Sequence, residues 1–343
     1  MLKRRLITVA VLLVAGGTAL LAVPSLHDAA RKASSIDPLW LVGAVGLEIA
    51  SCVSFLGIFR RFFRELPTRD ARRLAWIEMG SGALLPGGGV GSLAAGGLYL
   101  RRRGMSTRRI VEKSSGLFFL TSATSVLGLV GAALLLGLGV GRVSHALPLT
   151  LFPAAVGLAG ATIALAIPRS RWHRRLRSRT LAWLVDGIRG AERELLRPHW
   201  RLLGALGYLG FDIAVLGLAC AAVGDPIAVP ALVLAYIIGY AANALPVPGG
   251  IGVLEGGLVG ALVLYGAPPM PATAAVLLYH AIAFWIPSIG GMIAYLLSSH
   301  ARRASSDEGS PRTPCEGRTR TTGSAGREPV RETIAGAAMA ELS

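Results

Sequence analysis

Charged residues, cysteines and soluble-enzyme motifs are all scarce in this sequence. Only 16% of the 343 residues are charged, whereas 53% are hydrophobic, which excludes an ordinary soluble domain because so much apolar surface cannot be hidden in one. Three cysteines, Cys52, Cys220 and Cys315, are too few and too scattered for a disulfide framework or a thiolate metal site. No Walker loop, HExxH or Gly-x-Ser-x-Gly motif occurs, so we expect neither an enzyme nor a bound cofactor or metal.

Acidic residues are also few, and the basic residues are unevenly placed. Lys and Arg number 35 against 19 Asp and Glu, a net charge of +16. In a soluble protein this balance would suggest a nucleic-acid partner. Here the basic residues stand between long apolar runs, a pattern that sets the orientation of a membrane protein and argues against nucleic acid.

Six uninterrupted apolar runs are long enough to cross a bilayer, which needs about 20 residues of helix. The first run follows Lys3, Arg4 and Arg5, but no cleavage site of small residues follows it, so we take it as a span and not as a signal peptide. The predicted spans are 6–24, 38–59, 114–140, 147–168, 202–223 and 272–297.

Two further apolar stretches, 74–100 and 229–265, are interrupted by Pro and Gly. Six Lys and Arg residues lie in 60–73, six in 101–113 and ten in 169–201, so the positive-inside rule places these loops in the cytoplasm. The stretch 74–100 must then enter and leave from the cytoplasm, and 229–265, whose flanks lack basic residues, from outside. The sequence therefore predicts two re-entrant hairpins of opposite orientation, with both chain termini in the cytoplasm.

An internal repeat supports this topology. Residues 46–50 (GLEIA) resemble 210–214 (GFDIA) at an offset of 164, and Pro-Gly-Gly at 86–88 matches 248–250 at an offset of 162. Opposite charge flanks make the arrangement an inverted repeat, as in many secondary transporters. We therefore predict an all-α polytopic membrane protein with six full spans and two Pro-Gly-Gly hairpins. The repeat units are 38–140 and 202–297.

The interrupted segments predict a polar cavity, because irregular backbone at membrane depth survives only where protein buries it or water reaches it. The helices that start after Gly89 and Gly252 would point free N–H groups into this cavity. Such helix N-termini suit a phosphate or carboxylate headgroup. The alternative is that these glycines only allow helices to pack closely.

Three acids, Glu48, Asp212 and Glu255, lie within apolar stretches, and His280 is the one histidine inside a span. Intramembrane acids usually face the protein interior and mark a substrate or proton path. We expect Asp212 and Glu255 to act as proton-titratable or cation-pairing groups. The alternative is that each acid is protonated or paired with a neighbour such as His280, and only locks helices together.

Other segments are predicted at the membrane surface. Glu78 is expected at the interface near Arg72 and Arg73, and 180–197, within the basic loop 169–201, has the apolar face of an interfacial helix. The Arg cluster 101–103 is expected to gather anionic lipid. The membrane domain thus covers 1–298, and 299–343 has the composition of a disordered cytoplasmic tail.

The run from Asn243 to Glu255 (NALPVPGGIGVLE) resembles the signature of the lysylphosphatidylglycerol synthase transmembrane region, or flippase-like domain family. The similarity extends through Gly266 and the closing span from Leu277 to Gly291. Pro86 to Gly88, followed by Arg101 to Gly104, resembles the first motif of the family. The resemblance covers roughly residues 6–298.

This resemblance implies a lipid-translocating membrane domain without the soluble synthase domain of two-domain members, and hence a separate lipid-synthesising enzyme as a partner. The chain departs from the family pattern in two places. His280 stands where many members have Arg, and Ser92 to Gly97 lacks the Glu and Arg that often follow the first glycines. If those groups contact the headgroup, the lipid recognised here differs from the best-known cargo of the family.

We therefore expect a protein of the cytoplasmic membrane that moves a phospholipid, or another lipid with an anionic or phosphate-bearing headgroup. Two alternatives stay open: a proton-coupled transporter of a small solute, and a non-transporting scaffold for a lipid-modifying enzyme. The residues expected to bind substrate are Glu48, Pro86, Gly87, Gly88, Asp212, Asn243, Pro246, Pro248, Gly249, Gly250, Gly252, Glu255 and His280.

Overall fold

The computed structural model describes residues 38–84, 89–102, 104–140, 146–169, 179–195, 199–242 and 252–308 of the chain. Within these ranges the regular structure is helical and no strand occurs. Residues 1–300 form one unit. Residues 301–343 form a second unit, of which the structure describes only helical backbone up to Glu308.

Ten α-helices follow one another along the described chain, in agreement with the predicted all-α class. They are α1 (Pro38–Phe62), α2 (Thr68–Leu84), α3 (Gly89–Arg102), α4 (Thr107–Gly137), α5 (Ala146–Arg169), α6 (Arg179–Leu195), α7 (Leu203–Ala222), α8 (Val229–Ala241), α9 (Val253–Leu264) and α10 (Pro269–Glu308). Helix α10 continues past residue 298, where the tail is predicted to begin. Residues 309–343 lie outside the described part, so the disordered tail stays a prediction.

Five of these helices are long and apolar enough to cross a membrane. They are α1, α4, α7, the Thr150–Arg169 part of α5 and the Pro269–Ser298 part of α10. These helices confirm five of the six predicted spans, whereas 6–24 lies outside the described residues. Large apolar side chains such as Leu39 and Leu127 are 75% and 68% exposed, which costs nothing where the surroundings are lipid tails as apolar as leucine. The chain is a multi-pass membrane protein.

Four shorter helices pack in two pairs, α2 with α3 and α8 with α9. Helices α8 and α9 have 13 and 12 residues. At ~1.5 Å per residue each is about 20 Å long or less, which is too short for a hydrocarbon core of ~30 Å. The segments that join the paired helices, 85–88 and 243–251, contain the Pro-Gly-Gly motifs and lie outside the described residues. The re-entrant hairpins and the inverted repeat therefore stay predictions.

Helix α1 packs along α7 in antiparallel orientation. A Cβ added at Gly204 would lie 2.7 Å from the Ser54 carbonyl oxygen, and the Ser51 hydroxyl donates to the Tyr208 carbonyl at 2.9 Å. Small residues permit this close approach of two helices. Glu48 lies about one turn before Ser51, and Asp212 one turn after Tyr208, so the packing brings two acids to the same level of the domain.

The predicted interfacial helix 180–197 corresponds to α6, which packs against α4. A Cβ added at Gly187 would lie 2.4 Å from the Glu112 carbonyl oxygen, so only glycine allows this crossing. An ion pair between Arg61 at the end of α1 and Glu194 holds the other end of α6. Helix α6 is thus fastened to two spanning helices, and its position on the cytoplasmic leaflet stays a prediction.

Candidate functional site

A cavity of about 260 Å³ lies among the helices and is lined from both predicted repeat units. Its volume corresponds to about nine water molecules at ~30 Å³ each, which is room for a lipid headgroup or a small solute. The wall combines polar groups with apolar side chains such as Phe55, Leu117 and Phe284. The polar lining residues are Glu48, Cys52, Glu78, Ser92, Ser114, Thr121, Tyr208, Asp212, Tyr240, Tyr279 and His280.

The cavity is acidic. Glu48 from α1, Glu78 from α2 and Asp212 from α7 line it, and they are only 5%, 8% and 9% exposed. Neither Lys nor Arg is present among the lining residues that the structure describes. Ionised carboxylates buried without a basic partner are unstable, because desolvation is not repaid by a nearby positive charge. The cavity therefore attracts protons or a cationic group.

Asp212 is held by two phenols. The Tyr236 hydroxyl donates to its Oδ2 atom, and the Tyr279 hydroxyl donates to its Oδ1 atom at 3.0 Å. The two tyrosine rings meet edge to face, with centroids 6.2 Å apart. Hydrogen bonds to a charged acceptor are about twice as strong as neutral ones, so the two phenols partly offset the cost of burying the Asp212 carboxylate and fix its position.

The Glu48 carboxylate has fewer and weaker hydrogen bonds than that of Asp212. Its Oε1 atom accepts a hydrogen bond from the Cys52 thiol, one turn along α1, with Sγ 3.7 Å away. Its Oε2 atom is buried and has no hydrogen-bond partner among the described residues. Since a thiol is a weak donor, the Glu48 carboxylate lacks most of the contacts that would stabilise a charge.

Glu78, predicted at the interface near Arg72 and Arg73, is buried in the protein, and its depth in the membrane stays a prediction. Glu78 is buried because α3 packs on α2: a Cβ added at Gly96 of α3 would lie 3.1 Å from Glu78 Oε2. The sequence places this residue near the start of an apolar stretch. It does not reveal which face of α2 is covered by α3, and that packing decides the burial.

Glu255 and His280 form a link between α9 and α10. His280 Nε2 lies 3.4 Å from Glu255 Oε1, and both side chains are 17% exposed. The second oxygen of Glu255, Oε2, accepts the Gly252 N–H at 2.5 Å and so caps the start of α9. His280 also stacks on Phe284, with ring centroids 5.5 Å apart. Glu255 thus has the partner suggested by the sequence.

The contact between Glu255 and Gly252 lies beside the predicted anion site at the start of α9. The Gly252 N–H donates to a carboxylate of the chain itself, and binding of an anion by the N–H groups that follow Gly252 stays a prediction. The other predicted anion site, at Gly89, coincides with the first residue of α3. The remaining hairpin residues predicted to bind substrate lie outside the described residues: Pro86, Gly87, Gly88, Asn243, Pro246, Pro248, Gly249 and Gly250.

The sequence reasoning missed the tyrosines of the cavity. Tyr208, Tyr240 and Tyr279 line it, and Tyr236 reaches Asp212 from α8. A signal for them exists: Tyr236 and Tyr240 are spaced by one helical turn in an otherwise apolar segment, where a buried hydroxyl needs a partner. Within the described ranges, no three His, Cys, Asp or Glu residues are arranged to hold a metal ion.

Comparison with known proteins agrees with the resemblance found in the two Pro-Gly-Gly regions. No protein of curated function matches this chain. The sequence profile of the lysylphosphatidylglycerol synthase TM region matches residues 6–291, which covers every helix that lines the cavity. The chain therefore belongs to the lysylphosphatidylglycerol synthase transmembrane-region family.

Proposed function

We propose that the protein is a lipid translocase that moves a phospholipid across the cytoplasmic membrane. The observation that carries this proposal is the cavity, which is buried among spanning helices and lined by three carboxylates. Intramembrane acids are costly and usually mark a transport path. Many apolar side chains are exposed around the domain. The acyl chains of a lipid can contact this surface and stay in the bilayer while the headgroup enters the cavity.

The same proposal includes the inverted repeat. In it, α1 with the α2–α3 pair and α4 is related to α7 with the α8–α9 pair and α10. The antiparallel packing of α1 on α7 supports this relation, because repeat-related helices in inverted topology run in opposite directions. Two short helix pairs that end in Pro-Gly-Gly segments support re-entrant hairpins.

The acidic lining of the cavity indicates which kind of lipid headgroup the protein would bind. A purely anionic headgroup would face three carboxylates without a Lys or Arg among the described lining residues, and the Gly252 N–H is already bound to Glu255. A headgroup that carries an ammonium group beside its phosphate fits better. In this proposal the ammonium enters the cavity, and the phosphate stays towards the cytoplasmic surface, where the exposed Arg101 lies at the end of α3.

The roles of the individual residues follow from their contacts. Asp212, held by Tyr236 and Tyr279, supplies a carboxylate for the ammonium. The Glu255–His280 link holds the α8–α9 pair on α10 while the headgroup passes. Glu78 adds a second carboxylate from the opposite repeat unit, which lets the ammonium move between two acidic partners.

A leaflet assay tests this function. Headgroup-labelled phospholipids are reconstituted in proteoliposomes, and a membrane-impermeant quencher reports the label that remains outside. We expect faster transfer of an aminated phospholipid than of phosphatidylglycerol, and at least a tenfold loss of transfer in Asp212→Asn and Glu78→Gln. The matched control is Glu65→Gln, which removes a carboxylate that is 47% exposed and absent from the cavity.

The outcomes separate the alternatives. Equal transfer by wild type and both cavity variants would show that these two acids do not take part in lipid transfer. Faster transfer of the purely anionic lipid would overturn the proposed headgroup. No transfer of any headgroup by folded protein would overturn the translocase.

The size of the cavity favours one second candidate, a proton-coupled transporter of a small solute, because about 260 Å³ holds a small molecule completely. This candidate predicts that a water-soluble amine accumulates in the vesicles and that labelled lipid does not cross. Uptake of the amine in wild type, lost in Asp212→Asn, would establish it in place of the lipid translocase.

A further inference from the structure

Glu48 differs from Asp212 and Glu255 in that one of its carboxylate oxygens has no partner among the described residues. Its Oε2 atom is enclosed without a hydrogen-bond partner among the described residues, and the side chain is 5% exposed. Its Oε1 atom has only the Cys52 thiol at 3.7 Å. A carboxylate in this position is stabilised only by a proton or by a cation that enters the cavity.

The titratable groups that line the cavity with Glu48 come from five helices, and none of them supplies a permanent positive charge. They are Cys52 from α1, Glu78 from α2, Asp212 and Tyr208 from α7, Tyr240 from α8, and Tyr279 and His280 from α10. His280 lies against Glu255, so a proton on its ring would be balanced there. No described residue of the cavity thus provides a counter-charge for Glu48, and we infer that it arrives from water or with the substrate.

We propose that Glu48 binds a proton in competition with the ammonium group of the lipid, so that the protein exchanges protons for lipid. This inference rests on the proposed function, because the competing cation is the headgroup. When the cavity is open to one side, the Glu48 carboxylate takes one proton from water and becomes a neutral acid, and the ammonium leaves.

When the cavity is open to the other side, the Glu48 O–H bond breaks and the proton returns to water. The ammonium of the next lipid then pairs with the restored carboxylate. One proton crosses for each headgroup, in the opposite direction. The proton gradient drives the exchange, and the reaction uses no other reactant.

The hydrogen bonds distinguish Glu48 from Asp212 and Glu255. Protonation of Asp212 would weaken two phenol hydrogen bonds, and protonation of Glu255 would weaken its bonds to Gly252 and His280. Protonation of Glu48 weakens only the bond from the Cys52 thiol. It also removes the repulsion between Glu48 and Asp212 at the interface of α1 and α7. Glu78 lines the same cavity and has no side-chain hydrogen bond among the described residues, so a Glu78→Gln variant must be compared with Glu48→Gln.

Infrared spectroscopy of the protein in nanodiscs tests the proton site without any transport. The C=O stretch of a protonated carboxylic acid is recorded at neutral pH, where exposed carboxylates, with an ordinary pKa of about 4.3 for Glu, are ionised. We expect a band that Glu48→Gln removes, Glu48→Asp keeps, and the exposed control Glu65→Gln leaves unchanged. A spectrum without this band, or a band lost in Glu78→Gln and kept in Glu48→Gln, would overturn the assignment.

Transport in a pH gradient tests the exchange. A trace of labelled aminated phospholipid is added to proteoliposomes whose membrane potential is clamped by potassium and an ionophore. For one proton per lipid, a difference of one pH unit should change the ratio of label between the leaflets about tenfold, the factor that corresponds to ~1.4 kcal/mol. Glu48→Asp should respond to the gradient, and Glu48→Gln should not.

The two proposals fail in different ways. Lipid transfer in wild type that ignores the pH gradient would overturn the exchange and leave the translocase intact. No lipid transfer in wild type would overturn both. A response to the gradient that survives in Glu48→Gln would show that another group carries the proton, and would overturn the role of Glu48.

Discussion

The two halves of the membrane domain treat their buried acids differently. In the second half, both oxygens of Asp212 accept hydrogen bonds from tyrosines, Tyr236 and Tyr279. In the first half, the corresponding Glu48 has only Cys52 beside one oxygen and nothing beside the other among the described residues. The two positions, related by the proposed repeat, thus both carry a carboxylic acid, but only Asp212 has hydrogen-bond donors beside both oxygens. The difference indicates that one half holds a charge in place while the other exchanges it.

The short helix pairs show the same contrast. In the α8–α9 pair the backbones touch, since a Cβ added at Gly257 would lie 2.6 Å from the Gly239 carbonyl oxygen. In the α2–α3 pair the corresponding contact is made by a side chain, because Gly96 approaches the carboxylate of Glu78. A backbone contact cannot adapt, whereas a carboxylate can turn. We therefore expect the α8–α9 contact to be less adaptable than the α2–α3 contact.

The largest effect on stability is expected from the double variant Tyr236→Phe with Tyr279→Phe. It leaves the buried Asp212 carboxylate without its two donors, and each hydrogen bond to a charged group contributes about 1.5–3 kcal/mol. We expect a loss of about 3–5 kcal/mol in unfolding experiments in mixed micelles. The control is Tyr295→Phe, whose side chain is 49% exposed. A loss below about 1 kcal/mol would contradict the idea that Asp212 is a fixed charge.

A smaller loss is expected from Gly257→Ala. The new Cβ would meet the Gly239 carbonyl oxygen at 2.6 Å, so α8 and α9 must move apart at a cost of about 1–3 kcal/mol. Gly256→Ala is the matched control, because nothing lies within 4 Å of its Cβ position. Equal unfolding free energies for the two variants would refute the rigid backbone contact and, with it, this part of the contrast between the halves.

His280→Phe should cost less again. Phenylalanine keeps the stacking on Phe284 and loses only the contact with Glu255, which is worth about 1 kcal/mol for an ordinary hydrogen bond. Glu255 remains bound to the Gly252 N–H. Thermal unfolding of the reconstituted protein measures the change, and a loss as large as that of the double tyrosine variant would show that this link supports the whole second half.

The smallest effect on stability, and the sharpest comparison, is expected from Glu48→Gln. The substitution removes a buried carboxylate whose Oε2 has no partner among the described residues. The unfolding free energy should therefore stay within about 0.5 kcal/mol of wild type or rise, while the response of transport to a pH gradient is lost. A large loss of stability would mean that the Glu48 carboxylate has stabilising partners in the folded protein. Glu48 and Asp212 would then be held in the same way, and the contrast between the two halves would fail.

The spanning helices could be predicted from the sequence because hydropathy is a local property. The predicted span 38–59 differs from α1, Pro38–Phe62, by three residues at one end, and 202–223 differs from α7, Leu203–Ala222, by one residue at each end. Pairing of a buried acid with His280 was the alternative to a proton-binding or cation-pairing role, and the structure shows that Glu255 is the acid in contact with His280.

The cavity could be predicted only in part, because its walls depend on how the helices face one another. Glu48 and Asp212 stand out as acids in apolar helices, but the tyrosines that bind Asp212 do not. The burial of Glu78 could not be predicted, since the sequence does not show that α3 covers this residue. The direction in which a helix turns its polar residues is set by long-range packing, and that information is not contained in any single segment.

Cys52 is a native thiol that can report when the cavity opens to one face of the membrane or the other. Its thiol lines the cavity beside Glu48 and is 2% exposed, whereas Cys220 is buried in an apolar cluster away from the cavity. A chain that carries Cys220→Ser and Cys315→Ser keeps this one thiol. A membrane-impermeant maleimide, added to one face of a sealed vesicle, would alkylate it only while the cavity is open to that face. The rates of alkylation from the two faces would then time each opening without an engineered label.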